Sequence, residues 1–179
     1  MPNRTMVTPY FLDQPLAGLT QSLEGEFTLN SPDLPNAGTM ATMAALHGPL
    51  RDFVEQTVRA GNRPVSLAGD CCSAIAGLAG LQRAGVDPVL IWFDAHGDFN
   101  TGQTSPSGFL GGMPLAMLAG RGDQTLMNAM ATAPLDETRI ILTDARDLDR
   151  LEARALAASR VTHLPNVAQL LDYRLPGGP

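Results

Sequence analysis

Cysteine is almost missing: the 179 residues hold 2, Cys71 and Cys72, and these are adjacent. Neighbouring half-cystines cannot easily bridge to one another, so a disulfide framework is excluded and a reducing, cytoplasmic setting is expected. Positive charge is also scarce. Lys and Arg number 12 against 18 Asp and Glu, a formal charge of -6, and they form no basic cluster. Neutralised phosphates supply most of the affinity for nucleic acid, so no nucleic-acid partner is expected. No apolar run approaches the roughly 18 residues a transmembrane helix needs. Residues 1–11 also lack the long apolar core of a signal peptide, so no membrane partner is expected. Internal repeats and low-complexity tracts are missing too.

What remains is an ordinary foldable composition, 44% apolar and 17% charged, punctuated by 18 Gly and 14 Pro. It suits one domain over residues 1–179 with a substantial core. Short β-rich runs alternate with helical patterns. Strands are expected at residues 6–11 (weakened by Pro9), 64–67, 88–93, 139–142 and 161–164. Helices are expected at 40–59, with a break at Gly48-Pro49, and at 73–84, 114–119, 123–131, 148–158 and 167–171. Residues 97–112 read as a Gly/Ser/Pro loop and 173–179 as a linker. This alternation implies an α/β fold with a mostly parallel sheet. The run at 88–93 is apolar throughout, as expected of a strand buried on both faces.

That strand ends in Asp94, and His96 and Asp98 follow at two-residue intervals in IWFDAHGDFNTG, residues 91–102. Side chains at i, i+2 and i+4 of an extended segment share a face, so the three converge at the C-terminal edge of the sheet, where α/β folds bind ligands. Two carboxylates and an imidazole suit Mn²⁺, Fe²⁺ or Zn²⁺ better than Ca²⁺. One Asp bridging two cations fits equally. The bland alternative makes the Asp residues turn caps and His96 a hydrogen-bonded loop residue. A second cluster, Ala68-Gly69-Asp70-Cys71, follows the strand at 64–67. Either Asp70 or Cys71 leans toward the same edge, or Gly69 supplies backbone freedom while Asp70 caps the next helix. His47 and His163 read as structural. The loop at 108–112 lacks the Lys-Ser/Thr of a phosphate-binding loop.

The stretch FDAHGDFNTGQTSPSGFLGGMP, residues 93–114, resembles the ureohydrolase (arginase/agmatinase/formiminoglutamase) family through its D-A-H-x-D-x-N run and the Ser-Gly loop after it. Gly69-Asp70 and an R-D-x-D-x-x-E segment (Arg146, Asp147, Asp149, Glu152) stand in the family's order, so the resemblance covers about residues 64–155. It implies a three-layer α/β/α fold and a hydrolase of linear guanidino or amidino C–N bonds. It also implies two Mn²⁺ ions with a bridging hydroxide, a small guanidino or amidino substrate, and homo-oligomers. By resemblance Asp94 is the shared metal ligand, while His96 and Asp98 each ligate one ion, Asp98 also counting as catalytic. Asn100, Ser107 and Asp149 match substrate-binding positions.

Three departures accompany the match. Cys71 stands where the family has a metal-ligating His, which makes a thiolate ligand and Zn²⁺ or Fe²⁺ conceivable. Gly111 stands where arginases carry a proton-shuttling His. The family's D-x-D-x-x-D motif does not occur downstream of Asp98, so the fold is expected to be incomplete at its C-terminus. The chain alone is then expected to bind metal weakly and to turn over no substrate. The alternative is a non-catalytic binding or assembly subunit of the same fold with a partial metal site.

Overall fold

A computed structural model describes residues 1–21 and 23–176, so residues 177–179 of the expected linker lie outside the described residues. The chain divides into two compact units, Met1–Asp87 with Thr125–Ala133, and Pro88–Gln124 with Pro134–Pro179.

In the first unit, β1 (Asn3–Thr8) is followed by a small antiparallel hairpin of β2 (Tyr10–Phe11) and β3 (Gln14–Pro15). The strand expected at residues 6–11 is therefore split at Pro9, which has no N–H to give to a ladder. A further strand, β4 (Thr28–Leu29), is too short to carry a periodic signal. β5 (Arg63–Ala68) completes a parallel sheet in the order β4-β1-β5, with Asn3 opposite Arg63 and Thr8 opposite Ala68. Buried Asn30 closes the end of β4. It donates through Nδ2 to Thr8 Oγ1 at 3.0 Å and to the Leu46 carbonyl at 2.8 Å.

Between β1 and β5 runs α1 (Thr39–Arg59), 21 residues long and continuous through Pro49. The break expected at Gly48-Pro49 does not form. Proline denies the Ala45 carbonyl its helical donor, but Met43 and Leu46 before it and Leu50, Phe53 and Val54 after it are all buried. That stripe holds both halves on one axis. α2 (Ser73–Arg83) packs against α1 and closes with Ala84 and left-handed Gly85 (φ 82°), as the Gly there implies. A Cβ on Gly80 would stand 2.6 Å from Val54 Cβ and 2.5 Å from the Arg51 carbonyl oxygen, so the two helix backbones touch at this glycine. The short helix α4 (Thr125–Ala129) also lies against α1.

The second unit holds the parallel sheet β6-β7-β8: β6 (Leu90–Phe93), β7 (Ile140–Thr143) and β8 (Thr162–Leu164). Burial on both faces, expected of the run at 88–93, belongs instead to β7, whose four residues are all buried. β7 has a strand on each side, whereas β6 has one neighbour in this sheet and ends in Phe93, 60% exposed. From β6 the chain passes through an irregular loop, a 3-10 turn at Leu110–Gly112 and the fully buried helix α3 (Pro114–Leu118). Between β7 and β8 lies α5 (Arg150–Ala157). It starts two residues later than expected because Asp149 serves as its N-cap, in a capping box with Glu152. Parallel strands flanked by helices bear out the α/β expectation.

Candidate metal centre

The exit from β6 is shaped by one carboxylate. Asp94 Oδ1 accepts the backbone N–H of His96 at 2.9 Å and stands 3.2 Å from His96 Nδ1. Such an Asx-type turn takes the chain out of the extended state just past the strand. The Ala95 carbonyl accepts from both Arg146 N and Asp147 N at 2.9 Å, which pins the turn to the segment after β7. Two residues later Asp98 adopts a left-handed backbone (φ 49°). Its carbonyl accepts from Ala116 N at 3.1 Å, so α3 holds the bend.

The alternation that predicts three side chains on one face does not survive this bend. Asp94 and Asp98 do meet: carboxylate oxygens of the two lie within 4.8 Å of each other. His96 does not join them in that way, since its ring flanks Asp94 and its side chain is 65% exposed. Asp98, by contrast, is 4% exposed. The fold thus brings two carboxylates together and leaves the imidazole at the rim.

Asn100, Asp149 and Glu152 form a second layer behind the turn. Asn100 is 6% exposed; its Nδ2 donates to Asp149 Oδ2 at 2.9 Å and its Oδ1 accepts from Thr104 Oγ1 at 2.9 Å. Both ends of the amide are therefore engaged within the unit. Glu152, 3% exposed, accepts from Phe99 N at 2.9 Å with Oε1 and from Asp149 N at 3.1 Å with Oε2. Sequence reasoning placed Glu152 only as a landmark. The readable signal was the Asp-x-x-Glu spacing of a capping box. Ser107 lies on the exposed part of the loop, where its Oγ accepts from Phe109 N at 3.2 Å. Gly111 is half-buried in the 3-10 turn, and a Cβ on it would meet the Phe109 ring.

Gly69, Asp70 and Cys71 belong to the first unit, in the turn from β5 to α2. Asp70 accepts from Cys72 N at 2.9 Å with Oδ1 and from Leu12 N at 2.8 Å with Oδ2. It thus acts as a turn residue, while the N-cap position of α2 belongs to Cys72. Gly69 is there for another reason than backbone freedom: its φ is not positive, and a Cβ would collide with the Tyr10 carbonyl oxygen. Cys71 is a half-buried thiol outside any disulfide. Of the other histidines, His163 Nε2 lies 3.2 Å from the Ala145 carbonyl oxygen, and His47 is 2% exposed in α1.

A hard divalent cation fits the donors that this unit gathers. Two carboxylates within 4.8 Å repel one another. A cation between them would turn that repulsion into attraction, and carboxylate oxygens beside an imidazole suit Mn²⁺.

The profile described as the Arginase family matches residues 13–169. An arginase of Bacillus subtilis (strain 168) is 32% identical over 146 residues, 79% of this chain and 49% of that protein. An arginase of Brevibacillus brevis is 39% identical over 104 residues, 58% of this chain and 35% of that one. The crystal structure of Bacillus caldovelox arginase superposes with a TM-score of 0.76 at 26% identity, covering 96% of this chain and 66% of that one. The chain therefore spans about half the length, or less, of the relatives it matches in sequence.

Proposed function

The chain belongs to the arginase family, and from that premise we propose that it serves the metal-dependent hydrolysis of a linear guanidino or amidino C–N bond. The observation that supports this reading most is the approach of the Asp94 and Asp98 carboxylates to within 4.8 Å where β6 ends. Asp94 and Asp98 would hold the cation through their oxygens, and His96 would add a ring nitrogen from the rim. Mn²⁺ is the proposed metal, as a pair in the complete site. When bound, such cations act as Lewis acids and lower the pKa of water, supplying a nucleophile at neutral pH.

The protein's own contribution is placement. The Asx turn at Asp94 and the left-handed bend at Asp98 accompany the approach of the two carboxylates to within 4.8 Å. At a substrate's far end, exposed Ser107 and Asp149 offer a hydroxyl and a carboxylate that suit an amino-acid-like head group. Asn100 joins them only if its amide leaves Asp149 and Thr104. A homo-oligomer is proposed on the family resemblance alone, and the single-domain reading of residues 1–179 rests on the span of the family match.

Equilibrium dialysis of the purified chain against Mn²⁺, followed by elemental analysis, tests the reading. Retained Mn²⁺ that disappears in an Asp94→Asn/Asp98→Asn double variant is the expected result. Equal retention by both proteins would sink it. Urea release from a panel of guanidino compounds, assayed alongside, separates a catalytic chain from a metal-binding subunit without turnover.

A further inference from the structure

We infer that Glu152 is a positioning residue that sets the course of residues 97–100 and so places the Asp98 carboxylate beside Asp94. The inference rests on the reading of Asp94 and Asp98 as metal ligands. Its starting point is a buried carboxylate with two different tasks. Oε2 accepts Asp149 N at 3.1 Å, closing the capping box of α5. Oε1 accepts Phe99 N at 2.9 Å, 53 residues away in the chain. A capping box needs the first bond and has no use for the second.

The loop also lies directly on this carboxylate. A Cβ on Gly97 would stand 2.6 Å from Glu152 Oε1 and 2.7 Å from Leu148 Cδ2, so only glycine lets the backbone come so close. Asp98 sits between that contact and the Phe99 hydrogen bond. Its left-handed φ of 49° is uncommon for a residue with a Cβ, and aspartate takes it more readily than most. Glu152 fixes the backbone on the two flanks of Asp98, and Ala116 N takes the Asp98 carbonyl. Without Glu152 the bend keeps only the Ala116 hydrogen bond to its carbonyl, and the Asp98 side chain loses its fixed place beside Asp94.

Glu152→Gln separates latch from cap, because glutamine serves a capping box as well as glutamate does. Once its single amide oxygen faces Asp149 N, its NH₂ faces Phe99 N, donor against donor. The Gln variant is therefore expected to stay folded with its α5 cap intact, at a melting temperature lowered by the buried donors that lose their acceptor. It should lose amide-exchange protection at Phe99 and bind Mn²⁺ roughly 10-fold to 100-fold more weakly, the usual range for residues that orient ligands. Asn166→Ala, which removes the capping box of the 3-10 turn Val167–Leu171, controls for lost capping and should leave Mn²⁺ affinity unchanged. Unaltered protection and affinity in Glu152→Gln would overturn the inference. If the wild-type chain takes up no Mn²⁺, the reading of Asp94 and Asp98 falls instead, and exchange at Phe99 decides the latch on its own.

Discussion

Asn100 donates from Nδ2 to Asp149 Oδ2 at 2.9 Å, joining the loop after β6 to the first residue of the α5 cap. The bond is sealed from solvent on the Asn100 side, and Thr104 takes the other end of the amide. Asn100→Ala removes two hydrogen bonds and leaves partners behind, so it should cost about 1–3 kcal/mol. A urea melt read by circular dichroism would show a lower midpoint with an unchanged slope. Asn100→Asp should be worse, because it sets a second carboxylate against Asp149. A midpoint equal to wild type in both variants would show that the link carries no stability.

A metal held by the Asp94–Asp98 pair would couple to stability. A ligand that binds only the folded state stabilises it by about 2.7 kcal/mol at one hundred times its Kd. The melting temperature of the wild-type chain should therefore climb with added Mn²⁺ and fall back on chelation. Asp94→Asn and Asp98→Asn should each melt at one temperature whatever the Mn²⁺ concentration. A Mn²⁺-dependent rise in either variant would argue that the cation binds elsewhere.

His47 predicts an acid-sensitive fold. Burial pushes its imidazole down to about 4 from the usual 6.5, while the Asp70 carboxylate pulls the other way. Between those values the unfolded chain takes up a proton that the folded chain refuses, so stability falls as pH drops from 6.5 to about 4. Above that window the contribution is complete, and below it no more is lost. At about 1.36 kcal/mol per unit the loss is on the order of 3 kcal/mol. His47 Nδ1 has no hydrogen-bond partner, so His47→Leu sacrifices little and should flatten this part of the profile. Denaturant melts at pH 7 and pH 4.5 on both proteins measure the difference. Equal pH dependence would place the titrating group elsewhere.

Glycine in the middle of a helix is ordinarily improved by alanine, by about 1 kcal/mol. At Gly80 the sign should reverse. A Cβ there meets Val54 Cβ at 2.6 Å and the Arg51 carbonyl oxygen at 2.5 Å, neither of which is the movable end of a long side chain. Gly80→Ala must push α1 and α2 apart, an overpacking that costs about 1–3 kcal/mol. Gly77→Ala, on the same helix with open space around it, is the matched control and should be neutral or stabilising. A stabilised Gly80→Ala would contradict the close approach.

What could be read from the sequence tracks how local each cause is. The stripe of Met43, Leu46, Leu50, Phe53 and Val54 announces α1 because one helix face is a property of nearby residues. Its passage through Pro49 was hidden, since burial on both sides outweighs one lost hydrogen bond. The Asp94–Asp98 pair was legible as chemistry, yet its geometry was not. The bend at Asp98 is imposed by Glu152 and Ala116, which are distant in the chain. For the same reason Gly69 reads as a source of backbone freedom and proves to be a contact point for Tyr10.

Position 98 has a narrow alphabet for two unrelated reasons. A φ of 49° admits glycine, asparagine and aspartate and penalises nearly everything else. A site for a cation admits the carboxylates. Aspartate is the one residue in both sets, so its presence alone says little about which demand selected it. Asparagine satisfies the backbone and fails the cation, whereas glutamate keeps the charge and strains the chain. The two replacements at this residue therefore read out shape and charge separately.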